Sequence, residues 1–315
     1  MNPISVNELT ESVNSNLPRD IKSTIAKNIL AEEKDSDVAK NIFSELINDL
    51  SSKTQREVVN ATGTVLHTNL GRSPNNISFS GSYTNIEYDL KTLSRGKRNE
   101  YLSVLMNNLI GSKDIAFVNN NASSLFLSLK AISKSHNIQN VIISRGEIIE
   151  IGGSYRLPEI INETGLNLVE IGTTNKTKLS DYRKALEKCP NSLILKVHRS
   201  NFSINGFTED VSIEELAELK NKFDVFLFHD LGSGLVIDKK FLEINNISIF
   251  KDEPFVQDSL SDGANLVMFS GDKLFGSVQS GIIAGDDNLV NEIKNYSLFR
   301  TYRCSSITLF ELQET

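Results

Sequence analysis

Val225-Phe226-Leu227-Phe228 is a run of four apolar residues that stops at the polar pair His229-Asp230. A short apolar run of this kind is typical of a strand that is buried on both faces of a sheet. Six further runs have the same form and lie at 115–118, 141–143, 168–171, 192–197, 266–269 and 282–284. Helical patterns separate most of them. Together they predict an α/β fold with a mainly parallel seven-stranded sheet covered by helices on both faces.

The amino-terminal segment has a different pattern. Apolar residues recur at helical spacing from Ile21 to Leu50, with charged residues between them. Residues 1–55 are therefore predicted to form a small helical domain in front of the α/β domain. This domain is not a basic arm, because residues 1–60 contain 7 Lys and Arg against 10 Asp and Glu.

The composition excludes several classes of protein. The 315 residues carry a net charge of −7, which does not favour nucleic-acid binding, and DNA is not expected as a partner. No apolar run is long enough to span a membrane, and the first residues lack the profile of a signal peptide. The four histidines and two cysteines have no metal-ligand spacing, so no metal is expected. These features predict a cytoplasmic protein.

Lys273 is the first candidate for chemistry. It follows the predicted strand 266–269 in the turn Ser270-Gly271-Asp272-Lys273. A lysine forms an imine readily when burial or neighbouring cations lower its pKa, and the turn after a strand can supply that placement. Ser270 could donate a hydrogen bond to a cofactor phosphate. The alternative is an ordinary surface lysine in a turn.

Asp230 is the second candidate. A carboxylate at the end of a buried strand is unfavourable without a partner, and the protonated ring nitrogen of pyridoxal 5′-phosphate (PLP) is such a partner. The carboxyl ends of parallel strands meet at one edge of a sheet, where ligands collect. Asp230 and Lys273 together therefore predict a PLP site. The alternative is an aspartate that binds a metal or caps a helix.

Two further groups of residues could bind anions. Asn119-Asn120-Asn121-Ala122-Ser123 joins a predicted strand to a helix, and backbone N–H groups at a helix start bind phosphate well. The alternative is a simple helix cap. Arg72, Arg300 and Arg303 could bind a tetrahedral oxyanion, with Arg300 and Arg303 predicted to share one face of a helix. The alternative is a solvated helix face.

Several motifs resemble one known family. The motifs are Asn60-Ala61-Thr62-Gly63-Thr64-Val65-Leu66-His67-Thr68-Asn69-Leu70-Gly71-Arg72, Ser144-Arg145-Gly146-Glu147, Glu170-Ile171-Gly172-Thr173-Thr174-Asn175, Asp230-Leu231-Gly232-Ser233-Gly234 and Phe269-Ser270-Gly271-Asp272-Lys273-Leu274. They resemble the bacterial L-seryl-tRNA(Sec) selenium transferases (selenocysteine synthases) over roughly residues 56–303. The family signature differs at Gly276-Ser277-Val278-Gln279-Ser280-Gly281, where a Gly-Gly-Pro-Gln-Ala-Gly run is usual, and at Ser305-Ser306.

The resemblance implies specific roles for these residues. The fold would be the PLP-dependent fold type I, aspartate aminotransferase-like, with Lys273 carrying PLP and Asp272 as a catalytic aspartate. Asp230, Asn121, Ala122, Ser123 and Ser270 would bind the cofactor. The arginines Arg72, Arg300 and Arg303 would bind selenophosphate.

The resemblance also implies an activity and partners. The activity would be conversion of L-seryl-tRNA(Sec) to L-selenocysteinyl-tRNA(Sec) by selenophosphate, through an aminoacrylyl intermediate. The family is a homo-oligomer, a ring of dimers, whose amino-terminal domain binds tRNA. Residues 1–55 would thus bind tRNA, 56–303 would bind PLP, and 304–315 would begin a truncated carboxyl-terminal region. The alternatives are a related PLP lyase acting on a free small amino acid or amino sugar, or a non-catalytic relative.

Overall fold

The computed structural model describes residues 4–52, 57–74, 83–250 and 252–315. The chain forms two compact units, Met1–Ala61 and Thr62–Thr315. No helix in the described ranges is both long and apolar enough to cross a membrane.

The first unit consists of three helices, α1 (Val6–Glu11), α2 (Arg19–Glu32) and α3 (Ser36–Ser52). The Ser5 hydroxyl accepts a hydrogen bond from the Glu8 backbone, and the Glu8 carboxylate accepts one from Ser5, so a capping box begins α1. The three helices enclose a small core that is formed by Leu9, Ala26, Phe43 and Ile47. The helical pattern in the sequence thus corresponds to helices that bury one face.

The second unit is built from alternating strands and helices. In chain order they are β1 (Tyr88–Asp89), β2 (Ser94–Arg95), α4 (Glu100–Ile110), β3 (Asp114–Val118), α5 (Asn121–His136), β4 (Asn140–Ser144), β5 (Glu150–Ile151), β6 (Tyr155–Arg156), α6 (Leu157–Glu163), β7 (Asn167–Ile171), α7 (Leu179–Lys188), β8 (Ser192–Val197), α8 (Ile213–Phe223), β9 (Leu227–Gly232), α9 (Lys239–Ile244), α10 (Val256–Ser261), β10 (Leu266–Ser270), β11 (Gly281–Gly285), α11 (Asp287–Asn295), α12 (Phe299–Tyr302) and α13 (Ser306–Glu314).

Seven of these strands form the central sheet, in the order β3-β11-β10-β9-β8-β4-β7. β11 is antiparallel to both of its neighbours, and the pairs β10–β9, β9–β8, β8–β4 and β4–β7 are all parallel. The predicted mainly parallel seven-stranded sheet is therefore confirmed. The two-residue pairs β1–β2 and β5–β6 are separate antiparallel hairpins.

Helices cover both faces of the sheet. One core contains side chains from α4, α7, α8, α10 and α13, and Phe117 of β3 points into it. The other contains side chains from α5, α6 and α11, and the next residue, Val118, points into it. Because side chains alternate across a strand, each buried strand supplies both cores. This explains the nearly continuous apolar runs in the sequence.

The strand that carries Asp230 is displaced from its predicted position. The apolar run predicts a strand at 225–228, but β9 spans Leu227–Gly232 and includes His229 and Asp230. Its register against β10 pairs Met268 with Asp230 and then Phe269 with Gly232. A bulge that skips one residue re-aims the side chains of a strand, and here it lies directly beside the candidate carboxylate.

The helix predicted to hold two arginines is shorter than expected. α12 ends at Tyr302, and Arg303 has extended backbone angles (φ −63°, ψ 146°), so the prediction that Arg300 and Arg303 share one helix face is wrong. Arg303 instead forms an antiparallel bridge with Val118. The Cys304 thiol also donates to the Val118 carbonyl over 2.9 Å. These contacts with the edge strand β3 replace another turn of helix.

Candidate active site

Asp230 lies on β9 with only 7% of its surface exposed. Its Oδ1 accepts hydrogen bonds from Nδ2 of Asn121 at 2.7 Å and from the Gly232 N–H at 3.2 Å. Burial raises the pKa of Asp230, although the Asn121 bond and the Lys273 charge act in the opposite direction. A buried carboxylate with these neighbours is suited to a cationic partner.

Lys273 lies in the loop that leaves β10. The Leu274 N–H donates to the Ser233 carbonyl at 3.1 Å, and the Gly276 N–H donates to the Lys273 carbonyl at 3.0 Å, which fixes the loop beside the end of β9. A methyl group built on Gly232 would lie 4.0 Å from Nζ of Lys273. Gly232 lies two residues after Asp230 on β9. The amine of Lys273 is therefore close to the strand that carries Asp230.

The charge state of Lys273 follows from its surroundings. Burial, followed by the Arg72 guanidinium, lowers the pKa of Lys273, while Asp230, Asp272 and Glu253 act to raise it. The net direction is downward. A lowered pKa leaves more of the amine neutral and nucleophilic at a given pH, as imine formation requires.

Asp272 links the Lys273 loop to a distant part of the sequence. Its Oδ2 accepts a hydrogen bond from Nη1 of Arg72 at 2.8 Å, and its carbonyl accepts one from the Ser73 N–H at 3.2 Å. The side chain of Asp272 is 8% exposed and that of Arg72 is 30% exposed. The turn that carries Arg72 is therefore fixed against the residue that precedes the lysine.

A cavity of about 230 Å³ opens beside the lysine. It is lined by Leu66, Thr68, Arg72, Ile151, Gly152, Ser200, Asn201, Ser233, Glu253, Lys273 and Leu274. Three larger clefts, of about 340, 570 and 800 Å³, also lie in the second unit, and none of them has Lys273 in its lining. The smaller cavity is the candidate site because Lys273 and Arg72 line it, although Asp230 is not among its lining residues.

The start of α5 lies close to the end of β10. Asn120 caps the helix, and its Oδ1 accepts a hydrogen bond from the Ser123 N–H at 2.9 Å. Gly281 pairs with Ser270 of β10 and with Val118 of β3, and a methyl group built on Gly281 would overlap the Asn120 carbonyl oxygen. This close approach requires glycine and brings the helix start near Ser270.

The residues predicted to bind the cofactor phosphate thus form hydrogen bonds with different partners. The backbone N–H of Ser123 bonds its own helix cap, and the side chain of Asn121 bonds Asp230. Ala122 lies between them in the first turn of α5. The positive end of the α5 dipole is directed toward the region of Ser270 and Asp230, where it favours an anion.

The three predicted arginines have separate surroundings. Arg72 bonds Asp272 in the lysine cavity. Nη1 of Arg303 lies 4.0 Å from the Glu87 carboxylate, which also accepts a hydrogen bond from Arg98 at 2.7 Å. Arg300 is exposed. No described contact joins Arg300 or Arg303 to Arg72, so within this chain the three guanidinium groups are not gathered around one anion.

Two residues near the site, Tyr155 and Glu253, were not identified from the sequence, whereas His198 was noted as a histidine at the end of a predicted strand. The Tyr155 hydroxyl has a raised pKa because it is buried and faces the charge of Asp230. The backbone N–H of His198 donates to the Asp230 carbonyl at 2.9 Å, and Nε2 of His198 lies 3.1 Å from the Glu253 carboxylate. His198 ends a predicted strand, which was a weak signal. Tyr155 and Glu253 lie in loops or short hairpins whose position no sequence period reveals.

Comparisons with known proteins identify the family and the fold of this chain. A sequence model of the L-seryl-tRNA selenium transferase family matches residues 58–315. The L-seryl-tRNA(Sec) selenium transferase of Aliarcobacter butzleri is 41% identical, with the match covering 95% of this chain and 68% of that protein. The enzyme of the same name from Campylobacter fetus is 40% identical, covering 94% of this chain and 67% of that protein. The chain thus spans about two thirds of the length of these relatives.

A solved structure shows the same fold. The structure of D-glucosaminate-6-phosphate ammonia-lyase superimposes with a TM-score of 0.53 at 17% identity, over 68% of this chain and 55% of that chain. The sheet and its covering helices therefore define the fold class, which is fold type I. Within that class the chain belongs to the L-seryl-tRNA selenium transferase family, as the resemblance of its motifs predicted.

The described residues fit the cofactor of this class. Asp230 is a buried carboxylate that a protonated ring nitrogen would neutralise, and Lys273 offers an amine of lowered pKa. Two buried oxygen atoms, Oδ1 of Asn121 and Oδ1 of Asp272, have no hydrogen-bond partner in the described part of the chain. A bound ligand that supplies the missing donors would explain these two oxygen atoms.

Proposed function

We propose that this chain converts L-seryl-tRNA(Sec) to L-selenocysteinyl-tRNA(Sec) with PLP as cofactor and selenophosphate as selenium donor. Membership of the family supports the reaction, and the site supports the cofactor. The single observation that carries the proposal is that the Lys273 amine lies close to Gly232, on the same strand as the buried Asp230 carboxylate. An amine and an acid so placed can engage the two ends of one pyridine ring.

Four groups would hold the cofactor. Lys273 would hold PLP through its side-chain amine, and Asp230 would pair with the protonated ring nitrogen. The first turn of α5, with Asn121, Ala122 and Ser123, together with Ser270 accommodates the phosphate through the helix dipole and nearby hydroxyl groups. When bound, PLP withdraws electrons from the Cα atom of the substrate.

The remaining residues act on the substrate and the donor. The Lys273 amine removes the proton from Cα of the serine residue, since its lowered pKa leaves more of it neutral. Asp272, which lies next to Lys273 and pairs with Arg72, would act as the catalytic aspartate. Arg72 binds the selenophosphate anion in the same cavity. Arg300 and Arg303 join it where a second copy of the chain brings these surfaces together.

The other partners follow from the family. The helical unit, residues 1–61, would bind the tRNA, and the protein would act in the cytoplasm as a homo-oligomer. Because the net charge of residues 1–60 is negative, tRNA binding by this unit would depend on a few local basic side chains.

Two experiments test the proposal. Purified protein incubated with PLP is expected to show the visible absorption band of a lysine Schiff base, and Lys273→Ala is expected to lack it. The protein is then supplied with seryl-tRNA(Sec) and selenophosphate, and the amino acid on the tRNA is identified. Selenocysteine in the product supports the proposal. Elimination from free serine without reaction of the charged tRNA would instead favour a lyase, and absence of both reactions a non-catalytic relative.

A further inference from the structure

Glu253 is a third carboxylate group near the lysine, and neither the sequence motifs nor the proposed function uses it. A parallel bridge between Leu235 and Phe255 and the bond from the Val256 N–H to the Leu235 carbonyl, at 3.0 Å, fix its segment against the chain that follows β9. Glu253 lines the Lys273 cavity and also a neighbouring cavity of about 340 Å³. Glu253 therefore lies at the boundary between these two cavities.

The carboxylate of Glu253 is held in one orientation. Its Oε2 accepts a hydrogen bond from Oγ of Ser233 at 2.8 Å and lies 3.1 Å from Nε2 of His198. Burial alone would raise the pKa of Glu253, but the bonds from His198 and Ser233 outweigh burial and lower it. The group is therefore an anion, and it contributes to raising the pKa of Lys273.

The other two carboxylates near the lysine already have strong partners. Asp272 is paired with the Arg72 guanidinium at 2.8 Å. Asp230 is bonded by Asn121 and is the group assigned to the ring nitrogen under the proposed function. Within the described ranges, the contacts of Glu253 include neither a lysine nor an arginine side chain closer than 4.0 Å. The imidazole of His198 pairs with this charge as a cation only when it is protonated, so a neutral His198 leaves the charge of Glu253 available to the lysine.

A lysine that takes a proton from the substrate becomes an ammonium ion in a partly buried site, where an uncompensated charge is unfavourable. We propose that Glu253 is a positioning residue whose carboxylate pairs with the positive charge of the Lys273 nitrogen, both when that nitrogen is a free ammonium group and when it is bonded to the cofactor as a protonated imine. Ser233 and His198 keep Glu253 in place for this purpose. The inference rests on the proposed function, because it assumes that Lys273 is the residue that bonds PLP.

The experiment is a pH titration of the Schiff-base absorption band in the PLP-loaded full chain. A nearby anion stabilises the protonated imine, so Glu253→Gln is expected to lower the midpoint of the titration by about one pH unit. Glu209→Gln is the matched control, because Glu209 pairs with Lys176 and Lys178 away from the lysine cavity. The midpoint of Glu209→Gln is expected to equal that of the original protein. The midpoint of Glu253→Asp is expected to lie between those of the original protein and Glu253→Gln.

The outcomes separate the inference from the proposed function. A band in the original protein with the same midpoint in Glu253→Gln overturns the role of Glu253 and leaves the cofactor assignment intact. No band in the original protein, or a band that survives Lys273→Ala, overturns the proposed function. Should Glu253→Gln fail to fold by circular dichroism, Ser233→Ala takes its place. That variant removes one anchor and is expected to lower the midpoint by a smaller amount, and an unchanged midpoint there overturns the inference.

Discussion

Asn121 donates a hydrogen bond from its side-chain amide to Oδ1 of Asp230 over 2.7 Å. The helix residue that was predicted to receive a phosphate thus orients the carboxylate of a strand on the far side of β11 and β10. The amide oxygen of Asn121 remains buried without a partner in the described residues. The first residue of α5 therefore contacts the buried carboxylate of Asp230 as well as forming part of the helix start.

Replacing Asn121 by leucine is expected to weaken PLP binding about tenfold, since a hydrogen bond to a charged group contributes roughly 1.5 kcal/mol. The loss arises because Asp230 becomes less well oriented and less well stabilised as an anion. Absorbance titration of the protein with PLP measures the affinity. Asn205→Ala, at an exposed amide, is the control. Unchanged affinity in Asn121→Leu would show that the bond to Asp230 does not support the cofactor.

Replacing Arg72 by glutamine is expected to raise the pH at which Lys273 forms its Schiff base. Arg72 lowers the pKa of Lys273, and its removal also releases Asp272, whose charge raises that pKa. Both effects have the same sign, and we expect an upward shift of about one pH unit. The rate of Schiff-base formation is measured against pH. A downward shift would contradict the electrostatic account.

His229 is expected to make the protein sensitive to acid. Burial, together with the charges of Lys196 and His198, lowers the pKa of His229 from 6.5 to about 3. The unfolded chain binds this proton below pH 6.5 whereas the folded chain does not. The free energy of unfolding therefore falls as the pH drops from 6.5 toward 3, by up to about 1.4 kcal/mol per pH unit. Urea unfolding at several pH values measures it.

The control for this acid effect is His229→Asn. This variant retains a polar group that can bond Oγ of Ser259, which lies 3.1 Å from Nδ1 of His229. Its free energy of unfolding is expected to fall less steeply between pH 6.5 and 4.5. Identical slopes in the two proteins would show that other groups govern the acid sensitivity.

Lys196→Met is expected to destabilise the second unit by about 3 kcal/mol, because it leaves Glu147 buried without its cationic partner. Nζ of Lys196 lies 2.5 Å from Oε1 of Glu147, whose side chain is 0% exposed. Denaturant unfolding gives the free-energy difference. The double variant Lys196→Met/Glu147→Gln removes the buried charge and is expected to recover part of the loss. Additive losses would contradict this coupling.

The sequence predicted those features that depend on a local pattern. The run at 192–197 predicted β8, and all six residues of that strand are buried in the structure. Lys273 and Asp230 could be identified because reactive side chains follow buried strands at one edge of a parallel sheet. The boundary of β9 could not be predicted from the sequence, because the bulge in this strand depends on its pairing with β10.

Partnerships between distant residues could not be predicted either. Asn121 and Asp230 are 109 positions apart, and His198 and Glu253 are 55 positions apart. Such pairs are brought together by the order of the strands rather than by any repeat along the chain. Arg303 illustrates the same limit, since its spacing from Arg300 suited a helix but its bridge with Val118 determined its conformation.

The antiparallel direction of β11 relative to its neighbours affects how the protein unfolds. Because β10 and β11 are antiparallel neighbours, residues 271–280 leave the sheet and re-enter it at the same edge. This closed loop carries the lysine, and Gly281 at its end abuts the start of α5. Separation of β11 from β10 would loosen this loop and remove the contact with the start of α5 at the same time. Release of bound PLP and melting of these strands should therefore coincide as one event during unfolding.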